Sequence, residues 1–104
     1  MITQEKMEAA MLFLAETDIS FAEAKTHLMQ TEIMCKRIRS RVFVTETGSV
    51  EARKAAAEVH KDVIEADDGY VAATLEYETV KARRSRAEIV IDVFRTLEAS
   101  RRKS

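Results

Sequence analysis

Few residues in this chain have side chains suited to metal binding or acid–base chemistry. It contains two His and one Cys. On a helix, the eight positions from His27 to Cys35 turn the side chains by about 80°, so they do not form the i, i+4 pair that a helical metal site uses. His60 has no other His or Cys nearby in the sequence with which to share a metal. We therefore predict no metal site at these positions.

A group of carboxylates is the other candidate for metal chemistry. Asp67, Asp68, Glu76 and Glu78 lie close together in the sequence. Adjacent carboxylates on a regular helix point apart, so we interpret them as a solvated face. The chain also lacks a recognisable Ser-His-Asp spacing and a glycine-rich, lysine-bearing phosphate loop. These observations predict a non-enzymatic protein without catalytic residues and without a cofactor.

Basic residues are clustered although the net charge of the chain is only -1. Residues 1–35 carry two bases and six acids, whereas residues 36–41 carry four bases and no acid. The pattern then repeats, because residues 42–80 carry three bases and nine acids and residues 81–104 carry eight bases and three acids. The segment "KARRSR", residues 81–86, alone contains four cations. Each long segment is thus acidic at one end and basic at the other.

These clusters have three interpretations. They can be solvated helix faces, they can contact an acidic protein surface, or they can bind nucleic-acid phosphates, where each neutralised phosphate releases counterions. Charges that flank apolar seams can also set the direction and register of helix pairing. For nucleic acid, the predicted contact residues are Arg39, Arg41, Lys81, Arg83, Arg86, Arg101 and Arg102.

The composition predicts an all-α protein. The chain has no Pro and only two Gly, whereas a sheet protein of 104 residues needs many turns that these residues supply. Thr3, Asp18 and Ser49 are predicted N-caps, and Asp62 with Glu65 matches a capping box. The alternative at residues 16–18 is a continuous bent helix, because nothing there is a strong helix breaker. Gly48 can take the left-handed conformation that ends a helix. We predict one domain with short helices over about 3–15 and 50–59 and long helices over about 19–45 and 62–100.

Apolar residues follow a three–four spacing along both long helices, which is typical of a coiled coil or slender bundle. We therefore predict an elongated helical hairpin that forms a homo-oligomer. Arg84 lies on this seam and needs a partner or an exit to water. A second stripe widens the apolar face of the last helix and predicts that this helix contacts more than one neighbour; its residues are Val71, Leu75, Ala82, Ile89, Val93 and Leu97. The predicted interface residues are Leu28, Cys35, Ile38, Tyr70, Tyr77, Arg84, Ile91 and Phe94.

Cysteine content and hydropathy indicate the compartment. A single Cys forms no intramolecular disulfide, which disfavours a secreted, disulfide-stapled fold. The N-terminal segment lacks the basic and apolar regions of a signal peptide, and no window approaches ~18 consecutive apolar residues. We expect a cytoplasmic protein that does not cross a membrane.

Two stretches carry a resemblance to known proteins. They are "TGSVEARKAAAE" at residues 47–58 and "YVAATLEYETVKARRSRAEIVIDVFRTLEASRR" at residues 70–102. The chain resembles a group of small, uncharacterised helical proteins of tailed phages and prophages. The resemblance implies a phage setting inside a host cell and a long-helix fold, and it implies no catalytic residue. It is carried by Gly48, Ser49, Val50, Arg53, Tyr70, Tyr77, Ala87, Phe94, Arg95, Thr96, Arg101 and Arg102.

The leading functional hypothesis is a phage accessory protein that assists DNA recombination or replication through electrostatic contact. The rival is an adaptor or inhibitor that docks a helix face on a host or phage protein, using "LEYETVKARR" at residues 75–84 and the Met-rich first helix. A third hypothesis is a self-assembling structural protein. The sequence leaves all three open.

Overall fold

The computed structural model describes residues 1–103, and the only regular secondary structure within them is α-helix. Helix α1 spans Gln4–Thr45, α2 spans Val50–Glu58 and α3 spans Lys61–Lys103. Helices α1 and α3 have 42 and 43 residues, so each is about 63 Å long. They run antiparallel and α2 lies in the connection between them. The prediction of an all-α hairpin of two long helices is confirmed.

Helix α1 is continuous, whereas the sequence predicted separate helices over 3–15 and 19–45 with an N-cap at Asp18. The side chains at the expected break are engaged elsewhere. The Thr17 hydroxyl donates to the Phe13 carbonyl one turn earlier, at 2.7 Å. The Asp18 carboxylate accepts from Arg84 on α3. Because neither side chain caps a backbone N–H, and no Gly or Pro breaks the chain there, the helix runs through this segment.

The other helix ends follow local chemistry. Thr3 and Ser49 cap α1 and α2 as predicted, since their hydroxyls accept from the N–H groups of the third residue beyond. Gly48 has φ +106°, a conformation that side chains with a Cβ rarely adopt. The predicted capping box of Asp62 is wrong, because α3 begins one residue earlier. His60 provides the cap instead, as its Nδ1 accepts from the Asp62 N–H at 3.1 Å.

The chain divides into two compact units. Unit 1 comprises residues 1–23, which include the start of α1, and residues 78–103 of α3. Its buried core is Ala10, Ala87 and Ile91. Small side chains at the contact let the two helix backbones approach closely, and the larger residues pack at its margin. These partly buried residues are Met7, Phe13, Leu14 and Val90.

Unit 2 comprises residues Ala24–Tyr77 and contains α2. Its central core is formed by Val42 of α1, Ala57 of α2 and Val63 of α3, with Ile38 packed against it. Val63 is the most deeply buried large side chain of the described residues, at 1% exposed. The α2 segment thus closes the connecting end of the α1–α3 pair. Ala24, Cys35 and Ala73 are also buried in this unit.

Candidate protein-interaction surfaces

The predicted seam residues lie between α1 and α3 of the same chain, within each unit. Cys35 and Ile91 are buried, and Tyr70 lies at the edge of its contact. Leu28, Ile38, Tyr77, Arg84 and Phe94 are half-buried. The periodicity therefore located the face by which each helix contacts the other helix of its own chain. A role of these residues in contacts between chains stays a prediction.

Arg84 links α3 to α1 in unit 1 through side-chain hydrogen bonds. One terminal nitrogen donates to the Leu14 carbonyl at 2.9 Å and to the Thr17 hydroxyl at 2.7 Å. The other donates to the Asp18 carboxylate at 2.7 Å. The guanidinium also lies 5.0 Å from the ring centre of Phe21. The predicted need for a partner is therefore met by α1 of the same chain, and these directional bonds fix the register of the two helices.

Cys35 occupies the equivalent seam in unit 2. Its thiol donates to the Ala66 carbonyl at 3.1 Å. Burial raises the pKa of the Cys35 thiol, and the Asp67 carboxylate raises it further. The thiol is therefore kept protonated, which is opposite to the low pKa of a reactive cysteine. Cys35 acts here as a packing residue with one hydrogen bond.

Two of the predicted phosphate-binding residues pair with carboxylates in unit 2. The Arg39 guanidinium donates to Glu58 at 2.9 Å and to Asp67 at 3.0 Å. The hydrogen bond to Glu58 is the main cause of the raised pKa of Arg39. Arg41 lies 4.0 Å from Asp62. Arg39 thus links α1 to α2 and α3 and is paired within the chain. Arg41 is 66% exposed, and its distance from Asp62 is longer than a hydrogen bond.

The remaining predicted cations lie on α3 in unit 1. Lys81, Arg83, Arg86, Arg101 and Arg102 are all exposed. Arg101 donates to Glu98 at 2.8 Å. Residues 78–103 carry eight bases and four acids, whereas residues 1–23 of α1 carry one base and five acids. Unit 1 therefore joins a basic helix segment to an acidic one.

Unit 2 exposes aliphatic side chains on the outer face of α3. Val71 and Leu75 are 65% and 69% exposed, and Ile64 stands two helical turns before Val71 on the same face. We call Ile64, Val71 and Leu75 the unit 2 stripe. The sequence had assigned Val71 and Leu75 to a second apolar stripe and expected a further neighbour for it. No helix within residues 1–103 covers them.

Unit 1 also carries outer aliphatic residues, and these lie on both of its helices. On α1 they are Leu12 and Ile19, which are 58% and 75% exposed. On α3 they are Ile89, Val93 and Leu97. The α1 pair was not identified from the sequence. The seven-residue interval between Leu12 and Ile19 places them on one helix face and could have identified the pair. The inner seam of the same helix has more apolar residues and is the stronger pattern.

A groove of about 630 Å³ lies beside α2 in unit 2. Phe43, Val44 and Ala57 provide its apolar wall, and Arg39, Lys54 and Glu58 are its charged residues. Two of these charged residues, Arg39 and Glu58, already hydrogen-bond to each other. The groove is open and carries no convergent set of catalytic groups.

Comparisons with known proteins add no assignment. No protein-family model, curated protein or solved structure matches the chain. Within residues 1–103, no three His, Cys, Asp or Glu side chains are arranged to hold a metal ion. The helices of this part of the chain include none with an apolar segment long enough to cross a membrane.

Proposed function

We propose that this chain is a non-enzymatic protein-interaction adaptor that docks a helix of another protein on its unit 2 stripe. The exposure of Val71 and Leu75 beside Ile64 is the observation that carries the proposal. Aligned aliphatic side chains on an outer helix face are typical of surfaces that receive an amphipathic helix. Asp68 lies on the same face between Ile64 and Val71 and supplies a carboxylate within the stripe for a partner with basic residues.

The unit 2 stripe alone supplies only part of the free energy needed to bind a partner helix. Complete burial of an aliphatic side chain contributes about 1.5–3 kcal/mol relative to its exposed state. The three stripe residues are 46–69% exposed, so covering them contributes roughly 1–2 kcal/mol each before the cost of association. Flanking polar contacts must supply the rest. This magnitude suits a regulatory adaptor better than a permanent complex.

The test compares two doubly substituted proteins. Val71→Glu/Leu75→Glu places charges on the stripe, and Val44→Glu/Val59→Glu places the same number on two equally exposed valines of unit 2. Nuclease-treated extracts of expressing cells are passed over each protein and over the original chain. A stoichiometric partner retained by the original and the control, and lost from the stripe variant, supports the proposal. Equal capture by all three proteins, or capture of no protein, contradicts it.

Nucleic-acid binding is a second candidate, and the exposed cations on α3 of unit 1 favour it. A phage role in DNA recombination or replication rests on this candidate. Neutralising Arg83, Arg86 and Arg102 to Gln is expected to weaken oligonucleotide binding at ~50 mM salt and to reduce the salt slope by about three. Neutralising Arg39 is expected to change it little, because Glu58 and Asp67 of unit 2 already bind its guanidinium. Absence of binding at this salt concentration contradicts the candidate.

A further inference from the structure

The groove between α1 and α2 of unit 2 combines an apolar wall with unused hydrogen-bond donors. Phe43, Val44 and Ala57 form the wall. The Phe43 side chain is half-buried and Val44 is 73% exposed, so much of this wall faces water. Ser40 and Lys54 also line the groove, and neither side chain has a hydrogen bond or an ion pair among residues 1–103.

The one carboxylate that lines the groove is already engaged. The Glu58 carboxylate accepts a hydrogen bond from Arg39 at 2.9 Å, whereas the Lys54 ammonium has no such partner. One turn before the lining residues, Lys36 on α1 and Glu51 on α2 carry opposite charges that cancel. The unpaired charge of the groove is therefore the positive charge of Lys54.

Two more charged residues stand next to the groove without lining it. Asp67 of α3 accepts from Arg39 at 3.0 Å. The Arg53 guanidinium lies 5.7 Å from the centre of the Phe43 ring, and the Nε of Arg53 is buried without a hydrogen-bond partner among residues 1–103. The Asp67 and Arg53 charges offset each other, so they leave the excess at Lys54 unchanged.

These features fit a ligand with an apolar body and an anionic head. A carboxylate accepts hydrogen bonds from an ammonium or a hydroxyl, and a charge-assisted bond to an ammonium is the stronger of the two. A cationic head would find no free acceptor, because Arg39 already holds the Glu58 carboxylate. The groove volume of about 630 Å³ lies within the range of roughly 300–1,000 Å³ that is usual for small-molecule sites.

We propose that the groove beside α2 binds a small amphipathic carboxylate. Its aliphatic body covers Phe43, Val44 and Ala57, and its carboxylate binds Lys54. Burial of the body removes exposed apolar surface from water, and the ammonium selects an anion over a cation. The site uses α1 and α2, whereas the unit 2 stripe lies on α3, so this binding activity goes beyond the adaptor function.

The first test is isothermal titration calorimetry of the full chain with decanoate, below the concentration at which decanoate forms micelles. Decyltrimethylammonium has an alkyl chain of the same length with a cationic head and is the matched control ligand. We expect one decanoate to bind per chain, with a Kd about tenfold lower than that of decyltrimethylammonium. The absence of saturable decanoate binding, or an equal or lower Kd for the cation, overturns the proposal.

The second test reverses the charge at the groove. Lys54→Glu is expected to raise the Kd for decanoate about tenfold. The control Lys25→Glu changes another exposed lysine of unit 2, on α1 and outside the groove, and is expected to keep the Kd within about twofold. Equal Kd values for the two variants overturn the proposal. Far-UV circular dichroism checks that the helices persist, since both side chains are exposed.

The third test separates the groove from the unit 2 stripe. Val44→Glu/Val59→Glu puts a carboxylate on the groove wall and should lose decanoate binding while it still captures the adaptor's protein partner. Val71→Glu/Leu75→Glu should bind decanoate normally and lose the partner. If decanoate binding is lost with the stripe variant and kept with the groove variant, the ligand binds the stripe and the proposal is overturned. Failure of ligand binding and failure of partner docking are thus measured on different residues.

Discussion

Arg84 is predicted to stabilise unit 1 more than any other single charged side chain of that unit. The Arg84→Ala change removes its hydrogen bonds to Leu14 and Thr17, its ion pair with Asp18 and its contact with the Phe21 ring. The side chain is only 15% exposed, so water does not replace these contacts in the folded chain. The variant therefore loses several interactions at one position.

The magnitude follows from the contacts. The two hydrogen bonds contribute about 1 kcal/mol each, at the lower end for a charged donor, because Leu14 and Thr17 lie within a regular helix. Asp18 is 66% exposed, so its pair contributes about 0.5 kcal/mol after solvent screening. The stacking on Phe21 contributes about 1 kcal/mol. We expect Arg84→Ala to lower the free energy of unfolding by about 3.5 kcal/mol.

Urea denaturation followed by circular dichroism measures this loss. With a dependence of about 1.5 kcal/mol per molar urea, the midpoint should fall by roughly 2 M. The control Asp18→Asn removes the exposed ion pair alone and should cost about 0.5 kcal/mol. If Arg84→Ala costs no more than Asp18→Asn, the hydrogen bonds to the α1 backbone and to Thr17 do not stabilise the unit and the reasoning is refuted.

Three further predictions concern glycine, cysteine and a helix cap. Gly69→Ala should stabilise the protein by about 0.5–1 kcal/mol, because the added Cβ lies in a helix interior and meets nothing within 4 Å. Gly48→Ala should destabilise it by about 1 kcal/mol or more, because its φ is +106°. Thermal melts that shift the melting temperature in the same direction for both variants would contradict this. Because the pKa of the Cys35 thiol is raised in the folded chain, the unfolded chain releases this proton at lower pH. The thiol therefore contributes stability that is fully present below its unfolded pKa and is lost as pH rises through the raised folded pKa. Cys35→Ser should reduce that alkaline loss, and a thiol reagent at pH 8 should modify the native protein far more slowly than the urea-unfolded protein. Ser49→Ala should cost about 1 kcal/mol by removing the acceptor for the Ala52 N–H, and Ser49→Asp, which keeps an acceptor, should restore it in the same melts.

Much of the fold was predictable because it depends on local chemistry and on periodic patterns. The lack of Pro and scarcity of Gly predicted helices, and the three–four spacing through Ala24, Cys35 and Val42 identified the buried face of α1. Thr3 and Ser49 were recognised as caps because that role needs one hydroxyl and the adjacent backbone. By contrast, the predicted break at residues 16–18 was wrong, since Asp18 finds its partner on α3 and not at a helix start.

The candidate surfaces were predictable only in part. The stripe through Val71, Leu75, Ile89 and Leu97 was visible as apolar residues beside the seam. Its exposure was not, because burial depends on where neighbouring helices lie. The cations show the same limit. Arg39 and Arg83 look equivalent in the sequence, yet Arg39 binds Glu58 and Asp67 across 19 and 28 residues of chain, while Arg83 is exposed.

Residue types and their spacing thus sufficed for the helical class, the inner seams and the uneven charge of each long helix, since these properties are set by neighbours within about two turns. Three features depend on α1 and α3 lying side by side. They are the pairing of Arg84 with α1, the continuity of α1, and which basic residues pair with distant carboxylates. Those features join side chains that are distant in the chain, and no local pattern specifies which distant carboxylate, carbonyl or apolar face a given side chain will meet.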